Sequence, residues 1–412
     1  MDRHLDELSR RAADLDAADE IAFARDRFVP AGAGETAVQA YLDGNSLGRP
    51  LTATRTRIDR LIGEAWGTRL IRSWDEQWME LPLTLGDRIG EVVLGAAPGQ
   101  TVVGDSTTVL LYKLLRAAVD ADASRSEIVL DTENFPTDRY VAEGVAAETG
   151  RRLVWVEPEP GRGVTAEQVA EVVSERTCVV LVSHVAYRSA WVADLAAIAR
   201  ACHDVGALVL SDTCHSAGVV REDLDTTGVD IAVGCSYKFL NGGPGAPAYA
   251  YVARRHQDRL RQPIQGWMGH AEPFVMGPGY RPGPGMRRFI SGTPPVLAMA
   301  GIADTVDLIE EAGLDRIRAK SVALTRFVIE AVDALLAPHG VRVHSPREDE
   351  RRGAHVTIGH PRSRELCALL WERDIIPDFR EPDGIRLGLA PLSTSFAEAA
   401  TALAAIAEEL QA

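Results

Sequence analysis

Of the 44 basic side chains in this sequence only three are lysines, Lys113, Lys238 and Lys320. Arginine stays protonated at any working pH, so a position that needs a nucleophilic amine, or one able to condense with a carbonyl, cannot accept it. Each lysine is therefore a candidate for chemistry. Lys113 shares the polar side of an amphipathic helical pattern with Arg116 and Asp120, and Lys320 follows Arg316 by one helical turn; both read as solvated helix faces. Lys238 is different. It sits in Cys235-Ser236-Tyr237-Lys238-Phe239-Leu240-Asn241-Gly242-Gly243-Pro244-Gly245, after a strand-like run at 230–234 and before a glycine-rich turn, a transition that presents side chains to ligands.

Upstream, residues 207–211 form a buried-strand pattern that ends in Asp212 and runs into Thr213-Cys214-His215-Ser216-Ala217-Gly218. Pyridoxal phosphate chemistry requires such a pair, an amine for the cofactor carbonyl and an acid that keeps the pyridine nitrogen protonated. An aspartate there could instead cap the next segment; beside Lys238 the functional reading leads. A phosphate needs a cradle, and Gly104-Asp105-Ser106-Thr107-Thr108 offers hydroxyls where a helical pattern begins and backbone N–H groups are free, although plain N-capping uses only one of them. Asn134-Phe135-Pro136-Thr137-Asp138 follows a strand pattern and puts Phe135 where it can stack on a flat ring or simply pack. In Gly384-Ile385-Arg386-Leu387-Gly388 an arginine interrupts an apolar strand, as a fork for an amino-acid carboxylate or as half of a structural ion pair.

The elements that must position these groups can be read from about residue 51 to 260, where helical patterns alternate with apolar strands at 127–131, 152–156, 178–183, 207–212, 230–234 and 247–252. That alternation predicts an α/β fold with a mostly parallel central sheet, helices on both faces and active residues at the carboxyl ends of strands. Residues 266–295, rich in Gly and Pro, are too many for a connector and read as a structured loop. From about Val296 a long helical segment leads to strands near 341–345, 355–360 and 385–389 and a final Ala-rich helix, a small α+β domain. The expected division is an N-terminal segment 1–50 joining the small domain, a large domain at 51–295 and the small domain at 296–412.

Composition narrows the partners. With 44 basic against 59 acidic residues the 412-residue chain carries a net charge of −15, which disfavours nucleic acid and anionic lipid. Charges alternate through the first residues and no apolar run approaches a membrane span, so the expectation is a cytoplasmic protein with no membrane contact. Five cysteines, never spaced C-x-x-C, argue against a disulfide framework and against a metal site. No lysine sits in a Gly-Lys-Ser/Thr loop, and Gly242 to Gly245 lacks the G-x-G-x-x-G spacing of a dinucleotide site.

Six segments then carry a resemblance. Tyr41-Leu42-Asp43-Gly44-Asn45-Ser46-Leu47-Gly48, Asn134-Phe135-Pro136-Thr137-Asp138, Asp212 with His215-Ser216-Ala217-Gly218, the Ser236 to Gly245 run, Gly266-Trp267-Met268-Gly269-His270 and Gly292-Thr293-Pro294-Pro295 resemble the kynureninases, in the same order and across nearly the whole chain. The resemblance implies the fold-type-I architecture of pyridoxal-phosphate-dependent transferases and a homodimer with active sites at the subunit interface. It also implies hydrolysis of L-kynurenine to anthranilate and L-alanine in tryptophan catabolism. By position it implies that Lys238 holds the cofactor and moves the α-proton, Asp212 pairs with the pyridinium, and Phe135 stacks on the ring. Thr107, Thr108 and Tyr237 would hold the phosphate, with Tyr237 also a proton donor or acceptor. Asp138, Ser183 and His215 would complete the pocket, Trp267 and Thr293 would reach in from the neighbouring subunit, Arg386 would grip the substrate carboxylate, and Ser46 would lie near the substrate. Met268, Ser211 and Ala186 depart from the family's usual residues, so kynurenine and 3-hydroxykynurenine both stay open, with Thr293 favouring kynurenine. The alternative is another class-V aminotransferase-like enzyme, such as a cysteine desulfurase or an aminotransferase. A desulfurase needs a mobile cysteine, and Cys367, in a helix-like run, suits an inert buried thiol better.

Overall fold

In the computed structural model, which describes residues 2–32, 37–159 and 161–411, the apolar runs of the first two thirds pair into one sheet. After the short β1 (Ala40–Tyr41) come β2 (Thr101–Gly104), β3 (Glu127–Asp131), β4 (Arg152–Val156), β5 (Thr177–Ser183), β6 (Leu208–Asp212), β7 (Ile231–Gly234) and β8 (Ala248–Val252). Strands β2 to β8 lie in the order β2-β8-β7-β6-β5-β3-β4, and only β8 runs against its neighbours. The mostly parallel sheet expected from the sequence is present.

Both faces of this sheet are covered, which is why runs such as Val179-Val180-Leu181-Val182 show no polar alternation. Alternate residues enter separate cores. Val180, Val182 and Val209 join Val306 and Ile309 on one side, while Val179, Leu181 and Leu210 join Leu111 and Leu114 on the other. Register then fixes the strand ends: Ser183 lies opposite Asp212, and Asp212 opposite Val233. Ser183, Asp212 and the loop after β7 that carries Lys238 therefore leave the sheet together at its carboxyl edge.

The last third forms β9 (Arg342–Val343), β10 (His355–Gly359), β11 (Ile375–Ile376), β12 (Asp378–Arg380) and β13 (Gly384–Gly388). An antiparallel sheet takes the order β12-β13-β10-β9, and β11 pairs in parallel with β1. Helix Asp2–Ala17 packs on helix Phe396–Glu409, with Leu8 and Ala12 sharing a core with Leu403 and Ile406. A capping box between Ser395 and Glu398 starts that last helix.

Two readings of the sequence are corrected. Lys113 and Lys320 are not on solvated helix faces; they are 1% and 6% exposed. Lys113 forms an ion pair with Asp105 and donates to the Phe289 carbonyl at 3.1 Å, and Lys320 pairs with Asp19 at 2.7 Å. Helical periodicity marks which face is polar, and here that face is covered by carboxylates from other segments. The long helical segment after Val296 is two helices, Val296–Ala312 and Leu314–Ala331, broken at Gly313, whose φ of 79° suits glycine. Residues 266–295 form the expected long loop, with short helical turns at Trp267–Gly269 and Gly285–Phe289.

Candidate active site

Lys238 lies four residues beyond the end of β7, is 8% exposed, and places its Nζ 2.9 Å from His215 Nε2. Its other close neighbours are aromatic faces, with Nζ 5.7 Å from the Phe135 ring centre and 6.0 Å from that of Tyr237. His215 stays neutral because burial, and then the Lys238 charge, push its pKa well below the ordinary value. Its Nδ1 is buried without a partner. Among the described residues the amine thus has a neutral partner and no carboxylate in hydrogen-bond contact.

Two buried carboxyl groups sit behind it. Asp212, the last residue of β6, accepts from the Cys214 N–H at 2.8 Å. Asp138, in the first turn of helix Pro136–Thr149, accepts from Asn134 Nδ2 at 3.4 Å, and burial followed by the Asp212 charge raises its pKa well above the carboxylate range. Tyr237 is half-buried, and burial together with Cys235 lifts its hydroxyl above the usual phenol range. The Phe135 ring meets Tyr187 edge-on at 5.2 Å.

The cradle expected at 104–108 is the start of helix Thr107–Asp120. Ser106 caps it by accepting from the Val109 N–H, which leaves the Thr107 hydroxyl buried with no partner and Thr108 exposed. Plain capping accounts for Ser106 and not for Thr107.

The small sheet closes the other side. Arg386 on β13 is 1% exposed. Its Nη1 donates to the Tyr187 carbonyl at 2.9 Å, and its Nη2 donates to Ser46 Oγ at 2.7 Å and Asp378 Oδ2 at 2.6 Å. The Asn45 amide, turned so that both ends are satisfied, accepts from Arg386 Nε at 3.1 Å and donates to Asp43 at 3.3 Å. Burial and the charge of Arg380 lower the Arg386 pKa to about 10, and burial raises that of Asp43 to about 6 despite the Ser46 hydroxyl. The glycines of the 41–48 segment explain how it gets there. A Cβ on Gly48 would lie 2.2 Å from the Lys238 carbonyl oxygen, and one on Gly44 2.7 Å from Ala390 Cβ, so the turn carrying Ser46 is pressed between the Lys238 loop and the loop after β13.

Trp267 and Thr293 stand apart. Trp267 is 38% exposed and lies 5.9 Å from Phe274, Thr293 is exposed, and no hydrogen bond or ring contact joins either to the Lys238 group among the described residues. Met268, where the family pattern differs, is fully buried in the core beneath the sheet. Two members of the cluster carried no signal in the sequence: Asp378, which pairs with Arg386, and His355 on β10, whose ring centre is 5.8 Å from that of His215. An acidic or histidine residue in an isolated short strand reads as ordinary structure until tertiary packing brings it to the site.

Chains of known structure share this architecture: a cysteine desulfurase from Thermococcus onnurineus superposes with a TM-score of 0.79 at 18% identity over 90% of this chain and 94% of its own. A cysteine desulfurase from Escherichia coli gives 0.80 at 16% identity over 95% and 98%. At such identity these comparisons speak to fold alone. Residues 91–261 match the Cys/Met metabolism PLP-dependent enzyme model, and residues 317–406 match the kynureninase C-terminal domain model. A kynureninase of Pseudomonas fluorescens is 39% identical over 96% of this chain and 94% of its own length, and one of Burkholderia pseudomallei is 38% identical over 93% and 91%.

The chain belongs to the kynureninase family. It is accordingly a pyridoxal-phosphate-dependent enzyme of fold type I, and the left-over polar atoms fit that cofactor. The partnerless Thr107 hydroxyl beside free N–H groups suits a phosphate, the open space beyond Gly104 leaves room for it, and the Lys238 amine is hydrogen-bonded, among the described residues, to His215 alone. The desulfurase alternative is not favoured. Cys367 is buried within helix Ser363–Glu372, where burial pushes its thiol up to about 12, the reverse of a reactive cysteine.

Proposed function

We propose that this kynureninase-family chain hydrolyses the Cβ–Cγ bond of L-kynurenine, with 3-hydroxy-L-kynurenine as a second substrate, to give the corresponding anthranilate and L-alanine. The observation that carries the reading is a buried lysine amine with a neutral partner, Lys238, facing a buried carboxylate fork receptor, Arg386, across the two sheets. An α-amino acid needs both: an amine-linked carbonyl for its nitrogen and a guanidinium for its carboxylate.

Bound pyridoxal phosphate supplies an electron sink for the bonds at the substrate's Cα and Cβ. Lys238 would hold it and then move the α-proton with its Nζ. Asp212 would keep a proton on the ring nitrogen, backed by Asp138, while Phe135 would cover one ring face and Ser183 and His215 would border it. Thr107, Thr108 and Tyr237 would bind the phosphate. The Tyr237 hydroxyl, held protonated by its burial, would serve as a proton donor or acceptor as water adds to the γ-carbonyl carbon. Arg386 and Ser46 would orient the substrate carboxylate. The bookkeeping closes with one water consumed, its oxygen entering the aromatic acid and its two hydrogens shared between the products.

The same reading makes the enzyme a cytoplasmic homodimer in which Trp267 and Thr293 complete the site of a second copy. Support comes from the exposed apolar side chains Ile62, Trp66, Leu70 and Ile71 on one segment and Phe274, Val275 and Met276 near Trp267. No helix among the described residues is long and apolar enough to cross a membrane. A division at 1–50, 51–295 and 296–412 belongs to the same reading; the first helix and β1 support its N-terminal part by packing with the last third, while Val306 and Ile309 of helix Val296–Ala312 lie in the core of the large sheet. The test is chromatographic: cofactor-loaded protein incubated separately with the two substrates should release alanine and the aromatic acid in equal amounts. Absence of aromatic acid from both would overturn the reading.

A further inference from the structure

His355 has no role in the chemistry described so far, and its setting is unusual. It is fully buried, yet neither ring nitrogen has a hydrogen-bond partner. A neutral imidazole carries one N–H donor and one acceptor, and buried polar groups of this kind are nearly always paired. The Arg188 carbonyl faces the ring from outside hydrogen-bond geometry and accepts from the Thr357 hydroxyl at 2.6 Å.

Register says where the ring points. Thr357 lies directly opposite Arg386 in the β10–β13 pair, and His355, two residues before Thr357, shares its face. The cross-strand partner of His355 is Gly388, where a Cβ would lie 1.9 Å from Asn45 Oδ1, so the Asn45 amide that holds Arg386 Nε packs into that position. His355 therefore sits diagonally beside Arg386 on the face turned toward the large domain, with its ring 5.8 Å from that of His215, the partner of Lys238. The charges that act on it most are Arg386, Arg380 and Lys238; Asp378 pairs with both arginines at 2.6 Å, and Lys238 has no such carboxylate among the described residues. A buried donor beside the carboxylate fork and near the amine suits an anion that bridges the two.

Arg386 cannot satisfy that anion alone. Of its five N–H groups, Nε is taken by Asn45, one on Nη1 by the Tyr187 carbonyl, and both on Nη2 by Ser46 and Asp378. A single Nη1 N–H is left for a carboxylate that accepts at two oxygens.

We infer that His355 donates the second hydrogen bond to the substrate's α-carboxylate, beside the remaining N–H of Arg386. This rests on the reading of the site as one for an α-amino acid. The test compares His355→Phe, which keeps a ring of similar size without a donor, with His355→Gln, which restores an amide donor. Two probes are titrated against the absorbance of the bound cofactor, L-alanine and its decarboxylated counterpart ethylamine. His355→Phe should weaken L-alanine about tenfold and leave ethylamine unchanged, and raise KM for L-kynurenine by a similar factor with kcat within about threefold. His355→Gln should recover most of the loss. Equal weakening of both probes would show a ring that only packs, and unchanged L-alanine binding would remove the carboxylate role; either overturns the inference. Should His355→Phe fail to load cofactor, His355→Met, also without a donor, gives the same ratio. If the wild-type protein binds L-alanine but releases no anthranilate, the kynurenine reading falls while the probe ratio still decides the role of His355.

Discussion

Lys113 and Lys238 are both buried lysines of the large domain, and they are held in opposite ways. Lys113 Nζ is clamped by the Asp105 carboxylate and the Phe289 carbonyl, so its charge is neutralised and its direction fixed. Lys238 Nζ meets only a histidine that its own environment keeps neutral, and two aromatic faces. Burial alone therefore does not distinguish a chemical lysine from a structural one. The partner does: a carboxylate and a carbonyl hold the Lys113 Nζ in one place, whereas the Lys238 Nζ, hydrogen-bonded to a histidine, is free to form and break a covalent bond.

The sharpest way to break this comparison is to exchange the two losses. Lys238→Ala should reduce kynurenine turnover by about 10⁴-fold, with no rescue by Lys238→Arg, since a guanidinium cannot replace the amine; steady-state assays decide it. Lys113→Met should leave turnover within a few-fold but cost about 3 kcal/mol of stability, because it strands the Asp105 carboxylate, a loss read from the urea midpoint at constant m-value. If Lys113→Met abolished activity in a stable protein, the contrast would be wrong.

On the small-domain side, Arg386→Lys should raise KM for L-kynurenine by about 100-fold, because a lysine cannot hold Asn45, Ser46, Asp378 and the Tyr187 carbonyl while facing the substrate. The smallest effect belongs to Asp43. Its folded-state pKa, about 6, lies above the ordinary 3.8, so the folded chain binds its proton more tightly. The stability from that proton is complete at low pH and is lost as pH rises from about 4 to about 6. Asp43→Asn has no such loss. Its melting temperature relative to wild type should rise across that interval and level off above it, by the equivalent of at most about 3 kcal/mol, with turnover unchanged by the titration itself.

Much of the large domain was legible because its strands are continuous β-branched runs buried on both faces, and because strand ends in a parallel sheet converge on one edge. Asp212, Phe135 and Lys238 could be placed there from pattern alone. The partners of Lys113 and Lys320 were not legible. Helical spacing reports the polarity of a face and says nothing about the Asp105 or Asp19 carboxylate that folds over it. The Arg386 surroundings were half legible: the fork was visible in its apolar strand, but its network draws on Ser46, Tyr187 and Asp378 from three separate segments. His355 was silent, since a lone histidine in a short strand gains meaning only from the unpaired state of its nitrogens. Trp267 and Thr293 stay outside the Lys238 cluster of their own chain, and their spacing in the sequence says nothing about that separation.

The central claim, that Lys238 and neither of the other two lysines carries the cofactor, is tested most directly by reducing the loaded enzyme with borohydride and mapping its peptides by mass. One pyridoxyl-modified residue, Lys238, is expected, with Lys113 and Lys320 unmodified. A label on Lys113 or Lys320, or a loaded protein whose lysines all remain unmodified, would contradict it.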